Sequence, residues 1–210
     1  YTTWDDNDQG TIRVVSARSG KGKTVVKAPG KYVEPVFSPN GKTLVYRKAR
    51  GGSILNPEWS LKPGIYSVSA KGGKSEFITK KGAQPQFGKD ANKIYLLDSY
   101  PKPSLLMVEL DSKKVSKLYE SKLATEFRVS PDGEYLAFAE RFKVFVTPLV
   151  ENGKTINIGP KASQFPIEQL SERAGENISW STNSDKLYWS LGPELYHSDL
   201  AGIFDIKKSD

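Results

Sequence analysis

Polar side chains recur at fixed positions along this chain. Glu34, Gln84, Glu126 and Asn177 each stand three residues before an apolar anchor, Phe37, Phe87, Val129 or Trp180. One residue before those anchors stand Val36, Gln86, Arg128 and Ser179. Carboxylates, amides and a guanidinium brought to one place can hold a small ligand or the tail of a partner. Carboxylates alone could also serve acid–base chemistry. Other catalytic inventories are short. The single histidine, His197, sits between Tyr196 and Ser198. A Ser–His–Asp arrangement needs that ring aimed at a nucleophile on a sharp elbow, and no G-x-S-x-G occurs. One histidine cannot supply a His-rich metal cage, so His197 is read as a strand residue partly buried between sheets. Glu140-Arg141 and Glu172-Arg173 are read as ion pairs or solvated faces. The acidic run Asp5-Asp6-Asn7-Asp8-Gln9 could hold a cation through oxygen ligands, but it lacks the full spacing of a calcium loop and reads as a solvated turn. No metal site and no cofactor is expected.

The elements that must position these groups are repeats. Phe37–Tyr46, Phe87–Leu96, Val129–Phe138 and Trp180–Trp189 align without a gap. The anchors lie 50, 42 and 51 residues apart, and a period of roughly 40–50 residues in a strand-rich chain is the spacing of propeller blades. Each copy reads as a β-hairpin. Its turn pair is Asn40-Gly41, Asp90-Ala91, Asp132-Gly133 or Asn183-Ser184, residue types that favour or tolerate tight turns. The strand after the turn alternates, with Leu44 and Tyr46, Ile94 and Leu96, Leu136 and Phe138, and Leu187 and Trp189 sharing a face.

Two further strands follow each hairpin. The third strands are expected at Ile12–Ala17, Ile65–Ala70, Leu105–Leu110, Val144–Leu149 and Leu195–Leu200. The fourth are expected near Thr24–Lys27, Glu76–Lys80, Val115–Tyr119, Thr155–Ile158 and Ile203–Ile206. Four antiparallel strands make one blade, which gives an all-β propeller with blades at 31–80, 81–121, 122–174 and 175–210. Residues 1–30 add the last three strands of another blade. Four blades and most of a fifth suit a fragment of a larger propeller, or else a small array that closes on itself. Open edges at Tyr1–Trp4 or Ile203–Ile206 would favour pairing with a second copy. Residues 159–175 break the period. Ile167–Arg173 could form one or two helical turns within an inter-blade loop.

Composition bounds the partners. The 210 residues are 37% hydrophobic and 11% aromatic, enough to bury a sizeable core. No stretch approaches the ~20 apolar residues of a membrane-spanning helix. There is no cysteine, hence no disulfide and no thiolate nucleophile. The net charge of +7 invites a nucleic-acid reading, but much of the lysine sits in short turns, as at Lys21, Lys42, Lys71 and Lys113. Lysines there keep strand edges soluble, and no nucleic-acid motif accompanies them. No nucleic-acid partner is expected.

Ser38-Pro39-Asn40-Gly41-Lys42 and Ser130-Pro131-Asp132-Gly133-Glu134 resemble the S-P-D-G-K hairpins of TolB-type, WD-like propeller repeats, and the resemblance runs through nearly the whole chain. Tyr32–Pro39, Pro63-Gly64-Ile65-Tyr66, Pro85-Gln86-Phe87-Gly88 and Tyr188–Tyr196 are similar to the propeller region that precedes the catalytic domain of large exported bacterial amidohydrolases. Phe87-Gly88-Lys89-Asp90-Ala91 departs from the pattern by losing Ser-Pro and Gly. The resemblance implies a non-catalytic module, periplasmic or secreted, with any metal site elsewhere in the parent polypeptide. Its partners would be other domains of that polypeptide or envelope proteins. An alternative is a propeller hydrolase or lyase, or a ligand-binding propeller.

First strands line a propeller's channel, so Glu34, Gln84, Glu126, Arg128 and Asn177 are expected at one channel mouth, as a ligand or partner site or as groups satisfied by water. The insertion Ala49–Pro63 carries Ile54, Leu55 and Trp59 where loops are ordinarily polar. It either forms an interface or folds back onto its own blade.

Overall fold

A computed structural model describes residues 1–51, 60–163 and 165–204. All the regular structure among them is β: nineteen strands in five sheets. The first sheet contains β1 (Thr2–Thr3), β2 (Thr11–Val15) and β3 (Gly22–Val26). The second contains β4 (Lys31–Phe37), β5 (Thr43–Ala49), β6 (Gly64–Ser69) and β7 (Glu76–Thr79). The third comprises β8 (Ala83–Phe87), β9 (Lys93–Asp98), β10 (Ser104–Glu109), β11 (Val115–Glu120) and β15 (Ile156–Asn157). The fourth is β12 (Ala124–Val129), β13 (Tyr135–Glu140), β14 (Lys143–Pro148) and β16 (Glu168–Gln169). The fifth is β17 (Glu176–Trp180), β18 (Lys186–Leu191) and β19 (Glu194–Asp199).

The hairpins stand where the repeat places them, and serine organises three of the turns. Ser38 Oγ donates to Asn40 Oδ1 and accepts the Thr43 amide at 3.0 Å. Ser130 Oγ bonds Asp132 and accepts the Tyr135 amide at 2.9 Å. Ser181 Oγ bonds Asp185 and accepts the Lys186 amide at 3.0 Å. A small hydroxyl thus satisfies turn amides that the ladder leaves open. Gly41, Gly133 and Ser184 all hold positive φ, at 67°, 74° and 62°, the region glycine enters without cost. Ser184 offsets its strain by accepting the Asp132 amide at 3.1 Å.

The chain divides into two compact units, residues 1–98 with 108–115, and residues 99–107 with 116–210. In the first, Ile12, Val25, Tyr32, Leu44, Tyr46 and Val68 form a buried cluster. Through it runs an aromatic series: Tyr32 packs edge-on against Tyr46, Tyr46 stacks on Tyr66, and Tyr66 meets Phe77 edge-on. Burial pushes the Tyr46 hydroxyl up to about 12. Gly64 is required by close approach, because a Cβ there would lie 2.6 Å from the Thr79 carbonyl. In the second unit, Ala137, Val144, Ile178, Leu187 and Trp189 form the core, and Phe138 stacks on Phe145 at 5.2 Å.

The strand assignments need three corrections. Thr155–Ile158 does not complete the fourth sheet. β15 instead pairs parallel to β11, with Tyr119 opposite Ile156 and Glu120 opposite Asn157. The vacated position is taken by β16, which pairs with Phe145 and Val146 of β14 in the stretch where helical turns were expected. Thr147 helps to fix this segment by donating its hydroxyl to the Pro166 carbonyl. Finally, Ile203 and Phe204 lie in a turn rather than a strand. Both pack on the second unit's core, with Phe204 stacked on Tyr135. The rest of Ile203–Ile206 lies outside the described residues.

Candidate functional site

The recurring polar positions coincide with a defect that the repeat alone does not announce. Every first strand of the last four sheets carries one extra residue against its partner, between Val33 and Val36, Ala83 and Gln86, Ala124 and Glu126, and Glu176 and Ser179. These are β-bulges, which re-aim a side chain or an amide locally. Glu34, Gln84 and Asn177 sit in them with φ of 56°, 50° and 55°. For residues other than glycine this conformation costs on the order of 1–3 kcal/mol unless surroundings enforce it. The signal in the sequence is Pro35 and Pro85, each directly after a bulged residue; proline within a strand points to an edge or a bulge.

In the first unit the bulges build an ion-paired stitch. Arg47 on β5 donates from Nε to Glu34 Oε2 at 2.8 Å and from Nη2 to Oε1 at 2.6 Å. The Gln84 amide donates to the same Oε2 at 2.7 Å. One carboxylate therefore ties β4 to β5 and to β8. The bidentate geometry is the strong form of this pair, and the Glu34 hydrogen bonds push the Arg47 guanidinium above its ordinary range. Arg47 stands opposite Val33 in the ladder, and the bulge that follows brings Glu34 within its reach.

The second unit repeats the device with an arginine from a different position. Glu126 Oε1 accepts the Ile178 amide at 3.1 Å and pairs with Arg128 Nη2 at 2.9 Å. Opposite Glu126 stands Ala139, which has no charge to offer. The partner comes instead from two residues along the same strand, on the same face. Arg128 Nε donates to the Ile178 carbonyl at 3.2 Å, and Trp180 Nε1 donates to the Arg128 carbonyl at 3.1 Å. Asn177 turns away from this group and donates to Ser190 Oγ at 2.9 Å.

The structure thus brings Glu34 together with Gln84 in one unit, and Glu126 with Arg128 in the other. Ile54, Leu55 and Trp59 lie outside the described residues. His197 is exposed on β19, 5.8 Å from the Tyr188 ring, and not partly buried as expected. Glu140 does not pair with Arg141. It is buried and accepts a hydrogen bond from Ser121 Oγ at 2.6 Å. In the acidic run, Asp5 Oδ1 accepts the Asn7 and Asp8 amides, and these bonds hold its carboxyl below the ordinary carboxylate range. Among the described residues no three His, Cys, Asp or Glu side chains gather as metal ligands, and no helix is long and apolar enough to cross a membrane.

No protein-family model and no curated protein matches the chain. Solved structures do. TolB from Acinetobacter baumannii superposes with a TM-score of 0.68 at 17% identity, over 92% of this chain and 47% of that one. An oligogalacturonate lyase from Vibrio parahaemolyticus gives 0.61 at 9% identity, over 90% and 55%. The tricorn protease gives 0.54 at 11%, over 94% and 28%. The chain spans about half the length of the first two. The likeness shows a fold, the TolB-type β-propeller fold.

Proposed function

We propose that the chain is a non-catalytic propeller module that binds another domain of its own polypeptide or an envelope protein. The observation that carries this reading is the state of the Glu34 and Glu126 carboxylates. Each is engaged by an arginine and by a backbone amide. A general base must have a lone pair free for the proton it takes, and here that would mean dissolving the bonds that join neighbouring strands. The sequence resemblance to the propeller region of exported amidohydrolases supports a periplasmic or secreted setting and a parent of that type.

A second reading has one specific support: oligogalacturonate lyases share the fold, one of them solved in complex with manganese. A lyase or hydrolase built here would draw on Glu34, Gln84, Glu126, Arg128 or Asn177. The purified chain is therefore assayed against amide, ester, peptide and oligogalacturonate substrates, with and without manganese or zinc. No turnover is expected. Turnover abolished by Glu126→Gln or His197→Ala would overturn the module reading in favour of the enzyme.

A further inference from the structure

The second unit contains a cavity that none of the repeat positions reaches. Its volume is about 610 Å³, within the range of small-ligand sites. Five basic residues line it against two acidic ones. One acid, Glu120, is already engaged by Lys102 and Lys117 at 2.8 Å each. Lys143 is turned to the Glu172 carbonyl. Lys122, Arg141 and Lys161 have no ion-pair partner among the described residues, so the wall carries unspent positive charge.

The other acid is the informative one. Glu140 is 6% exposed and Ser121 2%. The Ser121 hydroxyl spends its one hydrogen on Glu140 and accepts the Leu123 and Ala124 amides at 3.1 and 3.0 Å. This is the one hydrogen bond that the Glu140 carboxylate receives among the described residues. A carboxylate has about four acceptor sites, so Glu140, which lines the cavity, keeps acceptor capacity to offer there. Gly159 borders it: a Cβ there would lie in ordinary contact, 3.4 Å from Oε2. The cavity therefore offers an acceptor at depth, cations on its wall, and apolar surface from Phe145, Ile158 and Pro160.

A cationic donor for Glu140 would be repelled by the lysines. A hydroxyl would not. A peptide could bring donors, but it binds best by adding to a free strand edge, and the edges here are taken. β11 is covered by β15 and by the Ile158 amide on the Glu120 carbonyl. β14 is covered by β16, by Ser171 on the Val144 amide and by the Leu170 amide on the Val144 carbonyl. We propose that this cavity binds a small anionic sugar, its hydroxyls donating to Glu140 and its anionic group held by Lys122, Arg141 and Lys161. The proposal is independent of whether the module is catalytic.

Titration calorimetry on the whole chain tests it with glucuronate, glucose 6-phosphate, neutral glucose and a glutamate-rich peptide. Saturable binding of at least one anionic sugar is expected, much weaker in high salt, with glucose far behind. The better of the two anions identifies carboxylate or phosphate as the recognised group. Lys122→Ala combined with Arg141→Ala removes exposed cations without touching the core, and should weaken binding about tenfold or more while flattening its salt dependence. Glu140→Gln keeps the shape and should weaken it by about tenfold. No saturation by either sugar up to the order of 10 mM would overturn the proposal. So would unchanged affinity in both variants, or tighter binding of the peptide than of either sugar.

Discussion

The fourth and fifth sheets are copies of one pattern with opposite surroundings. In β13, Leu136, Ala137, Phe138 and Ala139 are all buried, so both faces of the strand are covered. In β18, Leu187 and Trp189 are buried, whereas Lys186, Tyr188 and Ser190, which alternate with them, are only half-buried. Beside them on β19, Leu195 is 72% exposed and His197 is open to solvent. The sequences already differ in this sense, since Leu-Ala-Phe-Ala offers two apolar faces and Leu-Tyr-Trp-Ser one. A repeat covered on both sides spends its side chains on packing. A repeat with one open face keeps polar and amphipathic groups available.

The largest effect should come from the buried copy. Phe138→Ala removes a ring with no exposure, packed against Phe127 and Phe145, and should cost about 3–5 kcal/mol in denaturant unfolding. Tyr188→Ala, one position nearer its turn and on the less buried face of β18, should cost below about 1 kcal/mol. Equal losses would remove the distinction between the two sheets.

The next effect concerns the stitch that joins them. Glu126→Ala leaves the Ile178 amide and part of the Arg128 guanidinium without their acceptor, and should cost about 1–3 kcal/mol. Glu34→Ala should cost a similar amount, because its arginine is held by two hydrogen bonds. A neutral result at both positions would show that the bulges stand without their carboxylates.

A smaller, pH-dependent effect belongs to Glu120. Hydrogen bonds from Lys102 and Lys117 hold its carboxyl down at about 2, against an ordinary 4.5. A depressed folded value means stabilisation that is complete above 4.5 and lost as pH falls towards 2. Chemical unfolding of wild type and Glu120→Gln should therefore differ most near neutrality and converge in acid. A gap that widens with acidification would reverse the sign.

The smallest effect is expected at Lys186 and Asp199, an exposed pair on the open sheet at 3.0 Å. Asp199→Asn should leave the melting temperature unchanged at physiological salt. A clear loss would mean that the open face is more ordered than its exposure suggests.

The fold was legible because its strongest signals are local. Turn pairs, Ser-Pro anchors and period-two strands lie within ten residues of each other, and all eight alternating residues from Leu44 to Trp189 are buried. The pairing of Glu34 with Arg47 was not legible, because Arg47 lies opposite Val33 and only the bulge brings Glu34 to it. The remaining misses are non-local or too short. β16 is two polar residues, Glu168 and Gln169, without any pattern of its own. The transfer of Ile156 to Tyr119 depends on where the chain goes after Pro148. The half-satisfied Glu140 is invisible in sequence, since Glu140-Arg141 reads as an ordinary charged pair until burial separates the two.

The parallel pairing of β15 with β11 has a genetic consequence. Repeat proteins ordinarily grow and shrink by whole units, because each unit carries its own edges. Here residues 122–174 include the strand that caps the preceding repeat. Deleting that stretch would strip an edge from β11 as well as remove a blade, and inserting a copy of it would supply two strands competing for one edge. These two neighbours can be inherited together or altered residue by residue, but they cannot be shuffled apart.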